Sequence, residues 1–249
     1  MAGNYASYGT IVNMRSHLPI ITSLLLSGCA GATTMPLEID EATVHEEASQ
    51  EGVSCILEGT YPVVRMPTSS QATDEINELI QREMLGSYVS GIQDCPALYL
   101  DLIEEGSSLT ETTNFGFQIE LNEQGLLSFT HYASHYLEGA AHPTNRLGAL
   151  TIDTMSRETY DDIHSLFISD SSYKELLTAL VQWQMKVEDI FANPDVQTDF
   201  DEWIFYLRPG YLILGNFFEV HALQAMQVAI PLEKLTEVIQ ENGPLQRLL

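Results

Sequence analysis

Positive charge is scarce in this chain. Ten Lys+Arg stand against 35 Asp+Glu in 249 residues, a formal charge of −25 at pH 7. Nucleic acid and anionic lipid surfaces are bound through Lys and Arg that displace counterions, so this balance argues against both and favours a cationic partner. The same acidity also serves simply to keep an exported protein soluble. Long hydrophobic runs are missing as well: Leu18–Leu26 is nine residues long, against roughly 20 for a helix that crosses a bilayer. No HExxH, CxxC or GxSxG occurs, so zincin, thioredoxin-like and α/β-hydrolase chemistry lack their signatures. Cysteine is limited to three residues, Cys29, Cys55 and Cys95.

What is present begins with Leu26-Ser27-Gly28-Cys29, which has the form of a bacterial lipobox and follows Arg15 and the short apolar run. That order, from basic residue to apolar stretch to small residues and cysteine, predicts a lipoprotein signal peptide over residues 1–28. Met14 makes a more natural start than Met1. A diacylglycerol on the Cys29 sulfur and an N-terminal acyl chain such as palmitate would then give the multi-chain anchoring that a single chain cannot supply. Removing the signal deletes Arg15 and no acidic residue, leaving 9 basic against 35 acidic residues, a formal −26. The expected location is the cell envelope, and Ala30 after the lipidated cysteine favours the periplasmic face of an outer membrane where the organism has one. In that oxidising compartment Cys55 and Cys95 are expected to pair, the alternative being two buried free thiols.

Residues 29–52 lack a sustained apolar period and predict a flexible acidic tether, with the fold starting near Val53. An N-terminal lobe (53–110) is expected to hold strands at 53–58 and 61–66, a helix from 72 to 87 with Thr73 as N-cap, and a strand at 97–104. A C-terminal lobe (111–249) then opens on long alternating segments. Phe115, Phe117, Ile119 and Leu121 share a face, Asn122–Gly125 turns, and 126–136 returns. A strand at 147–153, a helix at 173–191, strands at 203–207, 211–214, 217–222 and 226–230, and a last helix at 232–241 complete the reading. Helices interleaved with antiparallel strands, without regular βα alternation, predict an α+β class in one compact domain or two fused lobes.

Candidate chemistry is sparse. Alternation places His131 and His135 on one face of a strand, about 7 Å apart, with His142 on the following loop; three imidazoles could ligate zinc. No second-shell carboxylate stands at an obvious spacing, and the favoured reading has no metal, no cofactor and no catalytic residue. His142 before Pro143 and Gly139 in the same loop read instead as a turn cap and a special backbone angle. Asp161-Asp162 and Asp199/Asp201/Glu202 lack the oxygen spacing of a calcium loop and read as solvated turns. Trp203, Tyr206, Tyr211, Phe217 and Phe218 form an aromatic-rich region that should be mostly core, with any exposed member a natural contact for a protein or sugar.

Several segments, in order, resemble the extracytoplasmic domain shared by the anti-sigma factor RsiV and the N-terminal region of the peptidoglycan deacetylase PdaC. They are Tyr61-Pro-Val-Val64 followed by Ile76-Asn77, Tyr136-Leu-Glu-Gly-Ala-Ala-His-Pro143, Leu150–Ser156 through Asp161–Phe167, Phe205–Tyr211, and Ala222–Leu232. The match spans roughly residues 53–241, departing at Ala140, where glycine is usual, and in a loop one residue longer. The resemblance implies a non-enzymatic binding module whose loop Gly139, His142 and Pro143 serve fold or interface. It also implies a cationic partner of the lysozyme type. The transmembrane and sigma-binding segments of RsiV and the catalytic domain of PdaC have no counterpart in these 249 residues. The alternative is a peptidoglycan-associated accessory protein that contacts glycan or a cell-wall enzyme, with a hydrolase third.

Overall fold

Two X-Gly pairs set the architecture. Glu51-Gly52 and Gln124-Gly125 hold both residues at positive φ, 49° and 92° in the first and 53° and 72° in the second, the backbone of two-residue turns whose twist matches the strands they join. In the computed structural model, which describes residues 36–65, 70–103, 107–187, 196, 199–217 and 226–249, each closes a long hairpin. β1 (Glu38–Gln50) pairs with β2 (Val53–Arg65), and β3 (Leu109–Glu123) with β4 (Leu126–Leu137). β5 (Thr144–Asp153) and β6 (Glu158–Tyr160) complete a six-stranded sheet in the order β1-β2-β3-β4-β5-β6.

β2 and β3 run parallel, which demands a crossover. It is supplied by α1 (Ser70–Ile80), a π-helical turn (Gln81–Leu85) and α2 (Gly86–Tyr99), running on as one helical stretch. These helices cover one face of the sheet, burying Ile76, Ile80, Met84, Leu85 and Ile92 against Leu57, Phe115, Leu127, Phe129 and Ile152. Asn77 binds α1 to the end of β2: its Oδ1 accepts from the Val64 amide at 2.8 Å and its Nδ2 donates to the Val64 carbonyl at 3.1 Å. Val64 lies beyond the end of the β2–β3 ladder at Gly59, and the asparagine amide serves the backbone groups that the ladder leaves.

On the opposite face a three-stranded antiparallel sheet, β7 (Ile204–Arg208), β8 (Tyr211–Gly215) and β9 (Gln227–Pro231), packs with α3 (Tyr173–Val187) in a second core. The Leu207 amide donates to Ser128 Oγ at 3.0 Å, which in turn meets Thr151 Oγ1 at 2.7 Å, a buried polar link between the sheets. An ion pair from Arg208 to Glu120 at 2.7 Å fastens the same junction, and Arg247 to Asp153 at 2.6 Å ties the C-terminal 3₁₀ turn (Gln246–Leu248) to the end of β5. Burial works to raise the Asp153 pKa, but the hydrogen bond from Arg247, the Ser156 and Met155 amides and the Arg247 charge outweigh it and hold the carboxyl below its ordinary range.

The α+β class therefore holds, with the large sheet mixed rather than antiparallel. Five local expectations are corrected. The supposed tether forms β1 over Glu38–Gln50: it is an edge strand, so Ile39 and Val44, with Leu37 just before it, pack only partly, while Glu38, Glu41, Glu46 and Glu47 face water. No lobe boundary falls at 110, because β3 pairs with β2 across it, and all described residues belong to the unit Thr34–Leu249. The helix already runs at Ser70, so Thr73 is no N-cap, and 97–104 is no strand: the helical stretch continues through buried Pro96 to Tyr99, held by Ile92 and Cys95 three residues apart on its buried face. The last helix shrinks to a 3₁₀ turn at Leu232–Lys234. Beyond it Leu232 and Leu235 still accept local backbone bonds, but the Gln240 amide turns aside to the Leu166 carbonyl and the Val238 carbonyl accepts from the Ile168 amide, so the backbone leaves the helical path to pair with a neighbouring segment. No helix among the described residues is long and apolar enough to cross a membrane.

Candidate functional site

A cavity of about 300 Å³ opens between α2 and the inner face of β2, β3 and β4. Its wall on α2 comes from Tyr88, Ile92, Cys95 and Tyr99, positions separated by four, three and four residues and so aligned on one helix face. Its floor comes from strand alternation: Glu111, Thr113 and Phe115 point the same way along β3, with Cys55 beside Glu111 on β2 and His135 opposite Thr113 on β4. Cys55 and Cys95 form a disulfide across this floor, Cα to Cα 6.2 Å, tying β2 to α2.

Glu111 is the unusual member. It is 5% exposed, and a buried carboxylate requires compensation. Thr113 Oγ1 donates to Glu111 Oε1 at 3.0 Å, and Thr113 Oγ1 lies 2.8 Å from His135 Nδ1. One hydroxyl carries one proton, so with Thr113 donating to Glu111, His135 Nδ1 is the donor to Thr113. His135 Nδ1 is also 3.4 Å from Glu111 Oε1. Among the described residues Oε2 has only Cys95 Sγ at 3.7 Å, and a disulfide sulfur has no proton to give. Burial, and then the Glu111 charge, push the Tyr99 phenol pKa up. Burial also raises that of Tyr88, against the opposing pull of Arg146 at the cavity mouth. His135 Nε2 has no hydrogen-bond partner among the described residues, so the Glu-Thr-His chain orients the imidazole through Nδ1 alone.

His131 shares the face but not the site. Its ring stacks on Phe115 at 5.6 Å and lies over Gly148, where a Cβ would fall 2.4 Å from the imidazole. Burial lowers its pKa to about 4, and its Nδ1 has no partner. His142 sits exposed on the β4–β5 loop with Nδ1 3.1 Å from the Pro143 carbonyl oxygen. The three histidines do not converge. Among the described residues the one cluster of ligand atoms joins Cys55, Cys95 and Glu111, and its two sulfurs are spent in the disulfide. Gly139 has φ 87° with open space around it, while Pro143 is exposed beside His142.

The acidic pairs act as local caps. Asp162 Oδ1 accepts from the His164 amide and Asp199 Oδ1 from the Asp201 amide, while Asp201 Oδ1 meets His164 Nε2 at 2.9 Å. Trp203, Tyr206 and Phe217 are buried and Tyr211 is exposed. Phe218, the remainder of the expected strand 217–222, the part of the expected helix beyond 187 and Cys29 lie outside the described residues. Beyond the small sheet, the outer face of β4 is uncovered by any described residue and shows Tyr132 (54% exposed) and Tyr136 (41%). Sequence reasoning missed Glu111 and Arg146. Extending the Phe115/Phe117/Ile119 face back by two and four positions reaches Thr113 and Glu111, and a carboxylate on an apolar face was the available signal.

No protein-family model matches the chain, and no curated protein matches it. Solved structures do. A DUF3298 family member from Bacteroides fragilis superposes with a TM-score of 0.60 at 16% identity, over 85% of this chain and 97% of that one. A DUF3298 family protein from Pseudomonas aeruginosa gives 0.54 at 11% identity, over 84% and 96%. What this chain shares with both is the fold.

Proposed function

We propose that the protein is a lipid-anchored extracytoplasmic binding protein, not an enzyme, that docks a cationic protein, with lysozyme-type muramidases the leading class. The observation that carries this reading is how the positive charge is used. Of the ten Lys and Arg residues, Arg65, Arg82, Arg157, Arg208 and Arg247 each meet a carboxylate of this same chain. The surplus of carboxylates faces solvent. Edge strand β1 and its turn expose Glu38, Glu41, Glu46, Glu47 and Glu51 along one border of the sheet, a negative surface that steers a basic partner. The disulfide suits an oxidising compartment, and the resemblance to the RsiV-like domain supplies the partner class.

The test is capture of partners by the purified protein at low and high salt. A charge-driven protein contact weakens as salt rises, and capture that salt leaves unchanged contradicts it. The anchor is checked separately: Cys29→Ser should leave the precursor uncleaved and unlabelled by palmitate, and normal labelling would remove the lipoprotein reading. Exposed Tyr132 and Tyr136, on one bare sheet face, favour the second reading, a cell-wall accessory protein that stacks on glycan. Salt-resistant retention on peptidoglycan, lost in Tyr132→Ala, would select it.

A further inference from the structure

We propose that the cavity between α2 and β3/β4 is a binding site for a small zwitterion of the amino-acid class, its ammonium held by Glu111 and its carboxylate by Arg146. The site is distinct from the acidic border that docks a protein.

Three observations converge on it. First, Glu111 is 5% exposed, lines the cavity, and has one carboxylate oxygen without a hydrogen-bond donor among the described residues. Leaving a buried charged acceptor unsatisfied is costly, and an ammonium supplies up to three donors together with the opposite charge. Second, Tyr88 and Tyr99 wall the same space, and aromatic faces attract a cation that has left water. Third, Arg146 stands at the mouth with no ion pair or hydrogen bond among the described residues, although five other arginines each meet a carboxylate. In a chain with 35 acidic residues, a guanidinium left free beside a cavity is the exception, and its planar fork suits a carboxylate.

A purely cationic ligand would meet Arg146 as a repulsion, and a purely anionic one would meet Glu111. Only a molecule that carries both charges satisfies both. At about 300 Å³ the cavity stands at the small end of ligand pockets. Leu57 and Ile92 in its lining provide an apolar surface for the ligand's side chain. A free amino acid and the end of a short peptide share this chemistry.

The experiment titrates the full-length protein calorimetrically with leucine in both chiral forms, leucylglycine, leucinamide, which lacks the carboxylate charge, and N-acetylleucine, which lacks the ammonium. Leucine or leucylglycine should bind saturably, and which of the two binds tighter identifies the source as free amino acid or peptide. Leucinamide and N-acetylleucine should each bind at least about tenfold more weakly, the scale of one lost charge-assisted hydrogen bond. Glu111→Gln keeps an acceptor for Thr113 and should weaken leucine about tenfold, and Arg146→Ala, at an exposed position, should do the same without touching the fold. If Glu111→Gln fails to fold, the ligand panel and Arg146→Ala decide alone. The proposal is overturned if neither zwitterion binds at about 10 mM, an affinity weaker than the about −4 kcal/mol of a millimolar complex. It is also overturned if the singly charged analogues bind as well, or if Arg146→Ala leaves affinity unchanged.

Discussion

The two faces of the large sheet bury different kinds of interior. Against the helices, apolar side chains share their space with a disulfide, a cavity and the buried Glu111-Thr113-His135 chain. Against the small sheet and α3, rings pack on rings: Phe167 on Tyr173 at 4.6 Å, Phe200 on Trp203 at 4.3 Å, and Trp203 near Phe217 at 5.7 Å. The division runs through single residues of β4, where Leu126 belongs to the second core and Leu127 to the first, because successive side chains leave a strand on opposite faces. The second interior is a close-packed solid that holds the sheet in shape. The first trades part of that density for space and charge, and a covalent bridge secures it. Under the zwitterion proposal, recognition falls to the first interior and close packing to the second.

Phe200→Ala should cost about 3–5 kcal/mol through loss of its stack on Trp203, read by denaturant unfolding, while leaving the cavity side of the refolded protein unchanged. A loss below about 1 kcal/mol would mean that the second core is loosely packed. Replacing both Cys55 and Cys95 by Ala opens a loop of 40 residues and should cost about 3–4 kcal/mol on the chain-entropy account. Hydrogen exchange should then quicken in α2 and β2 before β7 and β8. Uniform quickening would deny that the two interiors are separable.

Acid should act mainly through His131. Its pKa is depressed by burial to about 4 from an ordinary value of about 6.5, so the unfolded chain binds the proton more tightly. The stabilisation is complete above about pH 6.5 and is lost as pH falls towards 4, amounting to about 2–3 kcal/mol at pH 4.5. His131→Phe keeps a ring over Gly148 and against Phe115, and should flatten the stability profile in that window. An unchanged profile would place the acid sensitivity elsewhere. Asp153 is depressed as well, and its contribution is lost only at lower pH, as its carboxyl takes up a proton. The smallest effect belongs to Arg146→Ala, within about 0.5 kcal/mol of the parent, since the guanidinium meets no partner among the described residues; a larger loss would show that it holds the fold.

Much of the second interior was legible. Leu177 and Val181 in α3, Phe205 and Leu207 in β7 and the Pro209-Gly210 turn all carry the period of the element they occupy. The first interior was harder to read. β1 reads as a charged tether because an edge strand needs only a few inward residues, and the Glu51-Gly52 turn that reveals it lies in the stretch with the weakest apolar period. Pro96 and the Gly86 and Gly91 spacing suggest a break in a helical stretch that Ile92 and Cys95 anchor through burial. Leu232, Leu235, Val238 and Ile239 are buried at helical spacing, yet pairing with Leu166 and Ile168 takes the Gln240 amide and the Val238 carbonyl and ends the helical path there. The zwitterion site depends on Arg146 and Glu111 being brought to one cavity from β5 and β3, and no local pattern encodes that meeting.

The central claim, that this is an acidic docking protein, is tested most directly by the association rate of the purified protein with a c-type lysozyme across salt, beside equally basic cytochrome c. Lysozyme should bind far more tightly, with a rate that falls steeply as the screening length shrinks from about 10 Å at 0.1 M salt to about 3 Å at 1 M. Equal binding of both would reduce the effect to generic charge attraction, and no lysozyme binding at low salt would contradict the muramidase reading outright.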